Sequence, residues 1–421
     1  MTQRIVDRQQ NFWQLASIQG SAASIVALLV SGQLAKQYGA GSALIAIFVG
    51  NFVLWCVGLL MIAMSARERR NAVENTSKYL GKFGGILMAM FLVIAFISWY
   101  MLELQVTTTA IGSFFQKHYE WHPIANIRIG VVLGLLTSLL AIGGIRLIKN
   151  VCVVSLPILL IFVIYSMIMS REHIVFTGTW GISLPAIITI TTLTLPGMVN
   201  LPTFFRHSRS LGDSFLALTL IMLIDIFFQC FGIFVGIMDP SEFLTKFSPE
   251  TGVSTYLLLG FLFVILSMTC LNLVNIYFAS AGWELILPHR WNQKEYAIVG
   301  LLGTAAYTFF QVTSSMEFIE NLAGSFIVSF AASLLIGFLV KNVLQRRIRL
   351  HERLINVTCG LFGCCLAGIT LINNPEEANA ALVVGVFGTV ISFLLIFLFE
   401  ETNWAIRNLF FKEKARSSLT K

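Results

Sequence analysis

Three short stretches of this chain put polar side chains where chemistry could be done. In SWYMLELQV, Trp99 and Glu103 are four residues apart, so on a helix their side chains share a face. In MLIDIFFQC, Asp225 is followed one helical turn later by Gln229. In TCLNLVNIY, Asn272 and Asn275 are three apart on one face, with Thr269 three residues further back. An aromatic ring beside a carboxylate or amide suits a flat, hydrogen-bonding solute, because the ring stacks on its plane while the polar group reads its edge. Trp99 and Glu103 fit that role; the competing reading makes Trp99 a packing residue and Glu103 a hydrated group near a helix end. Asp225 reads either as a carboxylate that takes part in proton coupling or as a buried, hydrogen-bonded group.

Catalysis finds no such constellation. The six histidines (His118, His122, His173, His207, His289 and His351) lie in or near polar segments, and none pairs with an apolar-span Ser or Cys. HExxH, GxSxG, P-loop and CxxC patterns are all absent, so the chain does not read as an enzyme. Seven cysteines fall within hydrophobic runs without metal-ligand spacing, and Cys364 and Cys365 read as packing.

The elements that must position these residues are membrane helices. Hydrophobic residues make up 57% of the 421 and charged ones 12%, far from the roughly 45–50% and about 25% of soluble domains. Apolar runs of about 20 residues, each long enough to cross a hydrocarbon core, recur twelve times, the first at 13–36 and the last at 380–400. A short cytoplasmic segment (1–12) precedes them and a tail (401–421) follows; no cleavable signal is expected. Of the 28 basic residues, only Lys36, Lys117, Arg128, Arg171 and Lys246 fall outside if both termini are cytoplasmic. That bias sets orientation in a cytoplasmic membrane and argues against nucleic acid as the partner of the positive charge.

Two spans break their own pattern. Span 1 carries Gln19, Gly20, Ser21 and Ser24 in IQGSAASIV, and span 6 carries Pro196 and Gly197 in TLTLPGMVN. Five spans separate them, so both occupy matching places in consecutive five-helix halves, 13–170 and 183–341, with two additional helices at 354–400. Such a pair points to an inverted repeat whose binding site lies between two discontinuous helices near the midplane. Taken singly, either feature could serve close helix packing or a simple kink.

With these residues in view, the whole chain resembles the nucleobase:cation symporter family of cytosine and hydantoin permeases, which have the LeuT fold. The likeness rests on QGSAAS in span 1, IFVGNFVLWCVGLLM with Gly50 and Asn51 in span 2, SWYMLELQV in span 3, LPTFFRHSRS at the end of span 6 and TCLNLVNIYFASAG in span 8. It implies an all-α protein of twelve transmembrane helices: a LeuT-like 5+5 inverted repeat with discontinuous helices 1 and 6, plus two C-terminal helices. Such a permease imports a planar nitrogen-rich solute, such as a nucleobase (cytosine or a purine) or a hydantoin-like compound, by Na⁺- or H⁺-coupled alternating access. The expected partners are the solute and the lipid bilayer, with the chain as a monomer and no cofactor beyond the coupling ion.

By position, the resemblance makes Trp99 the ring that stacks on the substrate and puts Glu103, Gln19, Thr194, Asn272 and Asn275 around it. The unwound segment 20–24, with Gly20 and Ala23, would offer carbonyls to sodium, joined by Thr269 and Cys270 from span 8. Thr194 stands where the family has a second aromatic, and Thr203 where it has an aspartate. Cys270 replaces a hydroxyl, although hard cations prefer oxygen. Two other readings remain open at this point: a LeuT-fold amino-acid permease with Trp99 as packing, and a transporter-like sensor or intramembrane enzyme without net transport.

Overall fold

The computed structural model of the protein describes residues 10–22, 25–118, 124–169, 180–236, 239–246, 255–286, 294–310, 316–342 and 350–419. Among the described residues every regular element is a helix, as apolar runs in hydrocarbon require, since only a helix satisfies its own backbone there. In order these are α1 (Phe12–Gly20), α2 (Ile25–Tyr38), α3 (Ala40–Glu68), α4 (Ala72–His118), α5 (Ile124–Ala141), α6 (Gly144–Met169), α7 (Leu184–Val199) and α8 (Pro202–Phe205). They continue as α9 (Leu211–Val235), α10 (Pro240–Lys246), α11 (Thr255–Ile286), α12 (Lys294–Phe310), α13 (Met316–Asn342), α14 (Leu350–Asn373) and α15 (Ala378–Leu419). Among the described residues nine segments are long and apolar enough to span a bilayer, and the bent pair α1–α2 makes a tenth. The shorter α5 and α12 occupy the places of the remaining two expected spans. This is a polytopic membrane protein.

Span 1 is divided as expected. α1 starts in a capping box, where Asn11 Oδ1 accepts from Gln14 N at 2.9 Å and Gln14 Oε1 accepts from Asn11 N at 3.3 Å. It ends at Gly20, with Ser21 capping, and α2 departs at 63°. Ala23 and Ser24 lie outside the described residues.

Span 6 breaks later than the sequence suggests. The helix runs through Pro196 and Gly197 to Val199, and the interruption falls at Asn200 and Leu201. There the bonds tighten to i→i−3, Asn200 N to Gly197 O at 3.1 Å and Leu201 N to Met198 O at 3.2 Å. The reason is Pro202, which lacks the N–H that would carry the ladder onward and instead opens α8 at its first position. Pro196 costs one bond in a helix that its neighbours hold in place.

Two groups of helices pack against each other. α9 packs against α1, α2 and α3, and α3 also against α7; in the other group α4 packs against α11, α5 and α12, and α5 against α12. α6 bridges α1 and α11, while α13, α14 and α15 pack together and lean on α4. The joint at Gly81 (φ 82°) separates the foot of α4 from its membrane span, a backbone state that glycine adopts at no steric cost. Polar bonds knit the second group. Tyr100 Oη donates to Gly134 O at 3.0 Å and meets Thr304 Oγ1 at 2.9 Å, and Tyr307 Oη meets Thr108 Oγ1 at 3.2 Å.

Candidate functional site

Between the two groups lies a cavity of about 120 Å³, walled by α1, α2, α4, α7, α9 and α11. One water needs roughly 10–15 Å³ on this measure, so the space holds a solute of several heavy atoms. Four of the residues proposed from sequence as substrate contacts line it: Gln19, Trp99, Thr194 and Asn275. Asp225, Pro196 and Gly197 line it too. Phe96 and Phe278 add two further rings, 4.7 Å apart between centroids. These rings supply aromatic surface that Thr194 does not.

Glu103 is fully buried in α4 but is not among the lining residues. Asn272 also stands off the cavity, donating to Met268 Sδ at 3.4 Å and accepting from Asn275 Nδ2 at 3.5 Å. The lining stripe of α11 runs through Leu271, Val274, Asn275 and Phe278, and Asn272, about 60° round the helix from Asn275, falls at its edge.

The polar groups of the wall are short of partners. Asp225 is 6% exposed and has no hydrogen bond to any described residue. Gln229, one turn on, accepts from Asn51 Nδ2 at 2.7 Å, while its own Nε2 is buried without a partner, as is Gln19 Nε2. A buried unmet donor costs about 1–3 kcal/mol, so these atoms are poised for a ligand or for water. Asn51 thereby gains a role that Gly50-Asn51 in the sequence did not disclose: it orients Gln229.

Beneath the cavity the way is shut. Phe278 touches Phe204 (4.9 Å between centroids) and Phe204 stacks on Tyr277 (4.6 Å). Beyond these rings Arg206 Nη1 pairs with Glu284 Oε2 at 3.4 Å, and Arg206 Nη2 donates to Tyr277 Oη at 3.3 Å. His207 Nε2 accepts from Arg206 Nε at 3.3 Å and lies 2.9 Å from Tyr277 Oη, which places the ring proton on Nδ1. Burial, with the Arg206 guanidinium adding to it, pushes the imidazole down to about 3, so His207 is neutral. The chain before α1 closes the seal: Gln10 N donates to His207 O at 2.7 Å, and Arg209 N to Gln10 O at 3.0 Å. Thr203, the residue in place of an aspartate, instead bonds Asn200 Oδ1 at 2.6 Å and receives Ala72 N at 3.4 Å, tying α4 to the break.

No protein-family model matches the chain, and no curated protein matches it by sequence. Its structure is another matter. Mhp1, a nucleobase-cation-symport-1 family transporter described in a closed conformation with bromovinylhydantoin bound, superposes with a TM-score of 0.68 over 95% of this chain and 94% of its own, at 14% identity. The chain has the fold of a nucleobase–cation symporter. The same fold carries other cargo. A manganese transporter of Eremococcus coleocola gives a TM-score of 0.61 at 14% identity, covering 94% of this chain and 95% of that one. A Na⁺-coupled sialic acid symporter gives 0.60 at 13%, covering 91% and 88%. All three are transporters, and their cargoes differ, so the fold by itself names no solute.

In this symporter fold the residues expected to hold sodium do not converge. Thr269 Oγ1 donates to Ile265 O at 2.7 Å, and Thr269 borders a separate, mostly apolar groove with Leu133, Leu136 and Leu140. Cys270 lies beside Cys152 on α6, with Ser21 near both thiols and Ser155 near Cys270. Ser21, Cys152 and Cys270 are fully buried, and the Gly20 end of α1 packs on Ile224. A hard cation at this junction would meet two thiols, where it prefers oxygen.

Proposed function

We propose that this protein is a secondary active transporter that imports a small, planar, nitrogen-rich solute of nucleobase or hydantoin-like type by alternating access. The observation that carries the reading is the cavity at the helix interruptions, lined by the rings of Trp99, Phe96 and Phe278, the amides of Gln19 and Asn275 and the Asp225 carboxylate. Rings grip the solute's flat faces while amides and carboxylate read its edge. Rocking of the α1–α3, α7 and α9 group against the α4, α5, α11 and α12 group would expose the site to each side in turn. The solute drives that change only through its different affinity for the two states.

The seal of Phe204, Tyr277, Arg206 and Glu284 belongs, in the orientation the basic residues favour, to the cytoplasmic face of a cytoplasmic membrane. For coupling we favour a proton over sodium: Asp225 sits in the cavity wall without a partner, whereas the Cys152–Cys270 contact disfavours a hard cation. The protein works as a monomer in this reading, with the bilayer and the solute as its partners. Uptake of labelled uracil, cytosine and hydantoin into proteoliposomes tests it, with and without imposed proton and sodium gradients. Flux of at least one base, raised by an inward proton gradient and indifferent to sodium, is expected; no flux of any compound would remove the transport reading.

A further inference from the structure

Asp225 is the one ionisable side chain among the residues that line the cavity. It is nine-tenths buried in the middle of α9, and no donor of a described residue reaches it. Removing a carboxylate from water costs several kcal/mol unless a positive group accompanies it. Arg206 is not among the residues that line the cavity, and it is engaged by Glu284 and Tyr277. The rest of the wall is neutral and mostly aliphatic, with three aromatic rings, Phe96, Trp99 and Phe278.

Those surroundings suit one kind of ligand charge. An organic cation is attracted to the faces of rings such as Trp99, Phe96 and Phe278, an effect of about 0.5–2 kcal/mol. Two parallel N–H groups of an amidinium or guanidinium match the two oxygens of a carboxylate. An acid would meet Asp225 with no lining cation to answer it. A divalent metal would find one carboxylate, and among the described residues no three His, Cys, Asp or Glu come together.

We infer that the transported solute is a small flat monocation of amidinium or guanidinium type, its charge paired with Asp225 and its plane held among Trp99, Phe96 and Phe278. This rests on the transport reading above and sharpens it. An amidinium or guanidinium keeps its proton at neutral pH on both sides of the membrane, so the solute carries its own driving charge. An inside-negative potential then favours uptake by about 2.3 kcal/mol per charge for each 100 mV. The unmet Nε2 donors of Gln19 and Gln229 are available to a carbonyl or ring nitrogen elsewhere on the solute.

Benzamidine and benzamide, a cation and its neutral isostere, separate the alternatives. Binding to the purified full-length protein, by calorimetry and thermal shift, should favour benzamidine by at least tenfold. Asp225→Asn should erase that preference while leaving the melting temperature unchanged or higher, and Asp225→Glu should retain it. Equal affinities, a preference for benzamide, no binding of benzamidine, or a preference that survives Asp225→Asn would each overturn the inference. Proteoliposome flux keeps the two claims apart. Transport of uracil or cytosine without benzamidine binding strikes down the cationic solute alone, whereas benzamidine binding without flux of any solute strikes down transport and leaves the charge pairing standing.

Discussion

Where α4, α5 and α12 meet, Tyr100 and Tyr307 each find hydroxyl or carbonyl partners within 3.2 Å, and glycines let the helices touch. A Cβ built on Gly303 would lie 2.7 Å from Tyr100 Cδ1, and one on Gly130 would lie 2.5 Å from the Tyr307 ring. Where α1, α7 and α9 meet, Gly20 packs as closely on Ile224, but the polar groups differ. Gln19, Gln229 and Asp225 leave polar atoms unmet, and a Cβ on Gly197 would touch nothing within 4 Å. The first junction spends its polar groups on rigidity. In the transport reading proposed above, the second keeps them for a ligand and for motion.

Substitutions that fill space should break the symmetry of this comparison most plainly. Gly303→Val drives a branched side chain into the buried Tyr100 ring, and overpacking of this kind costs about 1–3 kcal/mol. Purified protein should melt several degrees lower, and a melting temperature equal to wild type would show that the packing yields. Removing a ring that lines the cavity has a different signature. Trp99→Ala should weaken solute binding by about tenfold, or about 1.4 kcal/mol, with little change in melting temperature. Unchanged affinity would take Trp99 out of the site.

Acid tests the seal below the cavity. The unfolded His207 imidazole titrates near 6.5 and the folded one at about 3, so as pH falls the unfolded chain takes up its proton first. The stability contributed by neutral His207 is complete above pH 6.5 and is lost progressively toward pH 3. His207→Gln should flatten the decline in melting temperature below pH 6.5; an identical decline would assign it to other groups. Smallest in energy is Gly197→Ala, which should stabilise α7 by about 0.5–1 kcal/mol because the site is open and the backbone helical. If α7 flexes in the cycle, uptake should slow as stability rises. Faster uptake would place the hinge entirely at Asn200 and Leu201.

Much of the site could be read from periodicity. Trp99, Asp225 and Asn275 stood out because polar or ring-bearing residues in an apolar run need a reason, and all three line the cavity. Phe96 and Phe278 carried a usable signal, each three residues from a proposed contact (Trp99 and Asn275), but thirty-five phenylalanines hide two. The seal of Arg206, Tyr277 and Glu284 was not legible, since it joins residues 71 and 78 positions apart. Thr269 and Cys270 failed as a pair because neighbouring residues on a helix point about 100° apart.

By itself the sequence determined that the chain crosses a membrane as helices, which of those helices are interrupted and roughly where. Those are local matters: in hydrocarbon each segment must satisfy its own backbone, so composition and proline decide within a turn. Only the tertiary structure decided that span 6 breaks at Asn200, that Cys270 lies beside Cys152, and that Asp225 bonds no described residue in a cavity shared with Trp99, Phe96 and Phe278. These depend on how each helix is rotated against its neighbours. That rotation is settled by packing between residues far apart in sequence, which no local pattern records.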